Sequence, residues 1–112
     1  MAENLSGPDR QLEIRTERAG DAYVVRLVGE LDLAGADLTD QALIAAEDSD
    51  AGRILVDIDE LEFIDSHGLR TLLRAQRRDE ESGRARLRVT RGTGHVAELL
   101  RLTAMDQSLP FA

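Results

Sequence analysis

Apolar and polar residues alternate in the first part of the chain and predict strands. Residues 12–16 and part of 22–28 alternate, and Gly20-Asp21 lies between them, which is typical of a β-hairpin. Residues 54–58 (ILVDI) form a short apolar run that predicts a strand buried on both faces. Alternation returns at residues 86–90. The pattern therefore predicts four strands.

Three other segments have apolar residues three and four positions apart, the spacing of an amphipathic helix. They lie at residues 38–46, 69–73 and 96–103, and the first follows a loop at 29–32. The second helix has Asp65 or Ser66 as its N-cap and ends near Ser82-Gly83. The predicted order is β-β-α-β-α-β-α. This order predicts an α/β fold with a mixed β-sheet carrying helices, in which helix-linked strands are parallel and the hairpin is antiparallel.

The length of 112 residues fits one domain. We expect a flexible N-terminal tail over residues 1–10 and a single domain over residues 11–112, with Leu109 and Phe111 folding back onto the core. No apolar run approaches the roughly 20 residues that span a bilayer, and residues 1–10 lack the features of a secretion signal. We therefore expect a cytoplasmic protein without membrane insertion.

Net charge and composition exclude several function classes. The formal net charge is −8, all fourteen basic residues are Arg, and the chain has three aromatic residues and no Cys. An acidic field repels phosphate backbones, and three aromatic residues are too few for base stacking, so a direct nucleic-acid partner is not expected. Without Cys, disulfides, thiol catalysis and Cys-ligated zinc are excluded.

The transition from strand to helix at residues 64–69 (IDSHGL) places a hydroxyl, that of Ser66, at a helix start. Free N–H groups and the helix dipole favour an anion there, so a phosphate on Ser66 would be well accommodated. Gly68 would let a partner or a phosphate donor approach the backbone. The alternative is that Ser66 only caps the helix, which is the commonest role of a serine in that position.

Motifs for catalysis and metal binding are incomplete. Ser66-His67-Gly68 lacks the first Gly of G-x-S-x-G because Ile64 stands there. The pair Asp57 and Asp59 resembles a phosphatase D-x-D motif, but the residues after it supply no basic group. Two His residues 28 positions apart are a poor metal site, and Gly92-Thr93-Gly94 is more simply a turn. We expect no catalytic residue, no metal site and no enzyme activity.

Four arginines lie along the second predicted helix, at positions 70, 74, 77 and 78. One interpretation is a solvated face supported by Glu80 and Glu81. The other is a docking surface for an acidic partner next to Ser66.

Three stretches in matching order resemble the STAS domain of anti-sigma factor antagonists, also called anti-anti-sigma factors. They are residues 24–32 (VVRLVGELD), 54–57 (ILVD) with 63–69 (FIDSHGL), and 99–106 (LLRLTAMD). The resemblance covers roughly residues 11–111.

The resemblance implies a partner-switching protein in transcription regulation. Unmodified, it would bind an anti-sigma factor that is also a serine kinase, and so release a sigma factor. The kinase would use ATP to phosphorylate Ser66 and end the binding, so the chain itself would need no cofactor. The family motif aligns with Asp65, Ser66, Gly68 and Leu69, and Glu30 and Asp32 match a loop near the same surface.

One position departs from the family pattern, which usually has Ser or Thr where this chain has His67. His67 could be protonated near neutral pH and steady an adjacent phosphate. With its neighbour Arg70 it completes the predicted partner-binding set. STAS-like domains also occur as scaffolds of stress-signalling assemblies and as accessory subunits of lipid-transport complexes without phosphorylation, and this alternative stays open. The sequence leaves the oligomeric state open too.

Overall fold

A five-stranded mixed sheet organises the chain. The computed structural model describes residues 2–6, 11–103 and 109–112. The strands lie in the order β1-β2-β3-β4-β5, with the first two pairings antiparallel and the last two parallel. From β2 onward the predicted order and the α/β class are confirmed. The elements are β1 (Ala2–Ser6), β2 (Leu12–Ala19), β3 (Ala22–Leu31), α1 (Leu33–Glu47), β4 (Arg53–Ile64), α2 (Ser66–Ser82), β5 (Leu87–Val89) and α3 (Gly94–Leu102).

Strand β1 lies where the sequence predicts a flexible tail over residues 1–10. Ala2–Ser6 pairs antiparallel with β2, so for these five residues the structure corrects the prediction. Any extended segment can pair with the exposed backbone groups of an edge strand, and it needs no hydrophobic alternation to do so. The rest of the predicted tail lies outside the described residues.

The core lies between the sheet and the three helices, each of which contributes buried apolar residues to it. Ile14 pairs with Leu27 across β2 and β3, and Val25 pairs with Val56 across β3 and β4. All four are at most 1% exposed. At the far edge Leu109 is buried and Phe111 pairs with Val89 of β5, so the predicted return of these two residues onto the core is confirmed.

Both central strands run further than the alternation predicts. β4 continues past residue 58 to Ile64, and its pairing with β3 shifts register twice. Each shift inserts an extra residue, so the buried positions after Ile58 are Leu61 and Ile64, three apart. β3 likewise extends through residues 29–31, which the sequence predicts as part of a loop. These extensions bring the sheet directly to the starts of α1 and α2.

A buried polar cluster joins the C-terminal ends of α1 and α2. The Asp79 carboxylate accepts hydrogen bonds from the backbone N–H groups of Arg86 (3.0 Å) and Leu87 (3.2 Å). The Arg86 guanidinium donates to the carbonyl oxygens of Glu47 (2.7 Å) and Ala51 (3.0 Å). The cluster therefore ties the end of α1 and the last turns of α2 to the start of β5.

The substitution Asp79→Asn tests this cluster. Asn has one acceptor oxygen where Asp has two, so one buried N–H group loses its partner, and we expect a loss of about 1–3 kcal/mol in the free energy of unfolding. Urea titration measures it, with the exposed neighbour Glu80→Gln as control, expected within about 0.5 kcal/mol of the wild type. Equal midpoints for Asp79→Asn and the wild type would contradict the assigned role.

Candidate functional site

Two helices start side by side where β3 and β4 end. Leu31 of β3 pairs with Ile64 of β4 at the carboxyl edge of their parallel pairing, and the Asp65 N–H donates to the Leu31 carbonyl at 3.2 Å. The next residue in each chain segment is an aspartate. Asp32 caps α1 and Asp65 caps α2. The edge therefore presents two adjacent helix N-termini.

Asp65, not Ser66, is the N-cap of α2. Its Oδ1 accepts from the backbone N–H groups of His67 (2.9 Å) and Gly68 (3.1 Å). Ser66 is the first helical residue, and its side chain is exposed. Within residues 2–6, 11–103 and 109–112 no group hydrogen-bonds its hydroxyl. The interpretation of Ser66 as a capping residue is therefore wrong, and its hydroxyl is presented to solvent.

The Asp65 carboxylate is held in its charged form. Burial acts to raise its pKa, but the hydrogen bonds from the Gly68 and His67 amides and from the His67 side chain outweigh burial and lower the pKa below its ordinary value. The His67 Nδ1 atom lies 3.4 Å from Asp65 Oδ2. Ser66 is thus preceded by a fixed negative charge.

Gly68 has an internal role that the sequence did not indicate. A Cβ at this position would lie 2.7 Å from Leu31 Cγ, 2.8 Å from Ile64 Cγ1 and 2.9 Å from the Leu31 carbonyl oxygen. Gly68 is buried, and Leu69 is half-buried and packs against the core. These two motif residues therefore seat α2 on the sheet, and the missing side chain of Gly68 makes room for β3 and β4.

The other predicted residues converge on the same edge. Glu30 is half-buried near the end of β3, opposite Phe63, and Asp32 accepts from the Ala34 N–H at 3.0 Å. His67 is half-buried and Arg70 is exposed on α2. The structure thus brings the eight predicted residues to one edge. Two of them, Gly68 and Leu69, face the core and not the surface.

Two apolar side chains at this edge escaped the sequence analysis. Leu33, the first residue of α1, is 66% exposed. Phe63 is 38% exposed, and its ring stacks on His95 with 6.4 Å between ring centroids. The exposure of Leu33 could have been predicted, because Leu33 lies outside the periodic apolar positions of the first predicted helix. Phe63 could not be placed because the register shifts of β4 precede it.

The arginines of α2 divide into two groups. Arg78 turns to α1, where its guanidinium contacts Glu47 (2.7 Å) and Asp40 (3.2 Å). Arg70, Arg74 and Arg77 are exposed. In the described part of the chain none of the four pairs with Glu80 or Glu81, so the support predicted from these two residues is wrong. Arg78 pairs with acids of helix α1 instead.

The residues tested for catalysis have structural partners. Asp57 accepts from Arg26 Nε at 3.0 Å on the sheet, and the Asp59 Oδ1 atom accepts from the Gly92 N–H at 3.1 Å. Gly92 and Gly94 both have positive φ, and Gly94 is the first residue of α3, so the segment predicted as a turn leads into that helix. The described residues contain no cluster of three or more His, Asp or Glu side chains arranged for a metal ion.

Among the helices of the described ranges, none combines the length and the apolar character required to cross a bilayer.

The substitution Gly68→Ala separates packing from helix propensity. At an open helical site, Ala is about 1 kcal/mol more favourable than Gly. Here the new methyl group would overlap Leu31 and Ile64, so we expect a net destabilisation of about 1–3 kcal/mol. Urea unfolding measures the change, and Ser66→Ala on the exposed face serves as the control without overlap. A Gly68→Ala variant more stable than the wild type would show that the helix start is not packed in this way.

The cap should also give stability a defined pH dependence. Folding lowers the pKa of Asp65. The stabilising effect of its carboxylate is therefore complete above the ordinary Asp pKa of about 4 and is lost as the pH falls through the folded-state pKa. We expect Asp65→Ala to cost about 1 kcal/mol at neutral pH and less in acid. Asp65→Asn keeps a good cap without the titration. Unfolding curves between neutral and acidic pH test this, and a pH-independent deficit of Asp65→Ala would contradict it.

Comparison with known proteins places this architecture in a family. The family model described as "Mlab, STAS domain" matches residues 14–110. An anti-sigma factor antagonist from Mycobacterium paratuberculosis is 27% identical and superposes with a TM-score of 0.77, over 96% of this chain and 89% of that one. No curated protein sequence gives a significant match.

Two further solved structures share the fold at lower identity. A putative anti-sigma factor antagonist from Thermotoga maritima is 18% identical, with a TM-score of 0.70 over 86% of this chain and 82% of that one. The anti-sigma factor antagonist SpoIIAA in its unphosphorylated form is 20% identical, with a TM-score of 0.64 over 88% of this chain and 87% of that one. The predicted resemblance is confirmed, and the chain belongs to the STAS-domain family.

Proposed function

We propose that this protein is an anti-sigma factor antagonist controlled by phosphorylation of Ser66. Unmodified, it binds an anti-sigma factor that is also a serine kinase, and a sigma factor is released. The kinase transfers a phosphoryl group from ATP to the Ser66 hydroxyl, and the modified protein lets its partner go. The observation that carries the proposal is the exposed Ser66 hydroxyl, which follows the capping residue and has no hydrogen-bond partner in the described residues.

The described site suits a kinase substrate. A phosphoryl acceptor must reach the donor, and the Ser66 side chain is exposed at the first position of α2. The Ser66 hydroxyl needs no internal bond to be broken before transfer. The similarity of this chain to a mycobacterial protein described as an anti-sigma factor antagonist supports the same class of partner here.

The surface around Ser66 also suits protein docking. Exposed Leu33 and Phe63 supply apolar area, and interfaces commonly place such side chains inside a polar rim. The polar rim consists of Glu30, Asp32, Asp65, His67 and Arg70. We assign direct contact to these exposed or half-buried residues, whereas Gly68 and Leu69 act by holding α2 in place.

A phosphate on Ser66 would oppose docking electrostatically. It adds about −1.5 to −2 charges beside the ionised Asp65 and close to the Asp32 cap. Removing that charge from water in an interface costs several kcal/mol unless the partner supplies cations. Release of the partner follows from this cost, and the chain itself contributes no catalysis and holds no cofactor.

Substitutions at Ser66 test the proposed switch. Ser66→Ala should keep affinity for the anti-sigma factor and accept no phosphate, whereas Ser66→Asp should bind at least about tenfold more weakly, since 1.4 kcal/mol corresponds to a factor of ten. Calorimetry with candidate kinases of this class measures affinity, and Gln41→Glu adds the same charge to an exposed position of α1 as a control. Equal affinity of Ser66→Ala and Ser66→Asp would refute the electrostatic mechanism.

Phosphopeptide mass spectrometry after incubation with each candidate kinase and ATP locates the acceptor. Label on Ser66 alone supports the proposal. A chain that binds such a kinase but is never labelled, or one that copurifies with a membrane ATPase, would instead favour the scaffold or lipid-transport accessory role.

A further inference from the structure

Among the α2 arginines, Arg70 is placed to meet a phosphate on Ser66. The two residues are one helical turn apart, and both side chains are exposed. Side chains at i and i+4 of a helix have Cβ atoms about 5–6 Å apart, and an acid preceding a base at this spacing is the favourable order. Arg74 and Arg77 lie about 12 and 17 Å from Ser66 along the helix axis, at 1.5 Å per residue.

Arg70 is also available for a new contact. Arg78 is engaged by Glu47 and Asp40 of α1, and Arg74 donates to the Thr71 hydroxyl at 3.3 Å. In the described residues Arg70 has no ion pair or hydrogen bond. A guanidinium presents a planar set of donors that matches two phosphate oxygens, so pairing with Arg70 requires only side-chain rotation.

We propose that phosphoserine at position 66 is held in cis by the Arg70 guanidinium. The proposal rests on the proposed function for the presence of the phosphate. Its consequence is a double change at the docking surface. Phosphorylation introduces an anion and at the same time withdraws the nearest exposed cation of α2, which in the unmodified protein is free to pair with a partner's carboxylate.

Other titratable groups at this end of the sheet act on the same phosphate. They are Asp65 and His67 of α2, Glu30 of β3, the Asp32 cap of α1, Glu62 of β4 and His95 of α3. All of these stay unchanged when Arg70 alone is replaced. The contribution of Arg70 is therefore isolated by substitution within one phosphorylated background.

The test uses full-length protein made with phosphoserine genetically incorporated at position 66, so it needs no kinase. The ³¹P NMR titration of the phosphate is compared among the otherwise unchanged protein, Arg70→Gln, Arg70→Lys and the matched control Arg74→Gln. We expect Arg70→Gln to raise the phosphate's titration midpoint by on the order of a few tenths of a pH unit at low salt. Arg70→Lys should keep part of the effect, Arg74→Gln should change little, and salt should weaken the effect.

Equal midpoints for Arg70→Gln and the parent would overturn the proposal. Equal shifts in Arg70→Gln and Arg74→Gln would overturn it as well, since they would show a general field in place of a pair. An Arg70→Lys variant that titrates like Arg70→Gln would refute its electrostatic basis. These results are independent of kinase labelling: a chain that no kinase modifies fails the proposed function, whereas its ³¹P titration still decides the pairing.

Discussion

The parallel pairing of β3 with β4 is the constraint on which the site depends. It ends at Leu31 and Ile64, and the hydrogen bond from the Asp65 N–H to the Leu31 carbonyl closes it. Because parallel strands end at the same edge, the aspartate that follows each strand caps a helix beside its neighbour. Gly68 then lets α2 approach that edge closely enough to be held there. The orientation of Ser66 is a consequence of this arrangement.

Charge is distributed unevenly over the acidic protein. The net charge is −8, yet the outward face of α2 carries Arg70, Arg74 and Arg77. Acids nearest to α2 on α1 are already used by Arg78, which joins the two helices. A basic surface therefore begins next to Ser66, and a phosphate placed there would meet anions on its N-terminal side and cations on its C-terminal side.

Local patterns predicted the regular elements well. The alternation at residues 12–16, the apolar run at residues 54–58 and the helical spacing of Leu69, Leu72 and Leu73 depend on neighbours a few positions away, so the sequence reports them directly. The patterns failed at the register shifts of β4, where an inserted residue breaks the period of two, and at the end of β3, which they predicted as a loop. They also failed at β1, whose pairing depends on an exposed strand edge and leaves no periodic mark.

The sequence by itself determined the order of elements from β2 onward, the helix start at residues 65–66 and the family motif, because these depend on spacing along the chain. Only the tertiary structure decided that Asp65 is the cap, that Gly68 is buried and that Arg78 turns to α1. It alone decided that Leu33 and Phe63 are exposed at the edge where α1 and α2 begin. These features depend on which residues of distant segments meet, and that is set by strand register and helix packing.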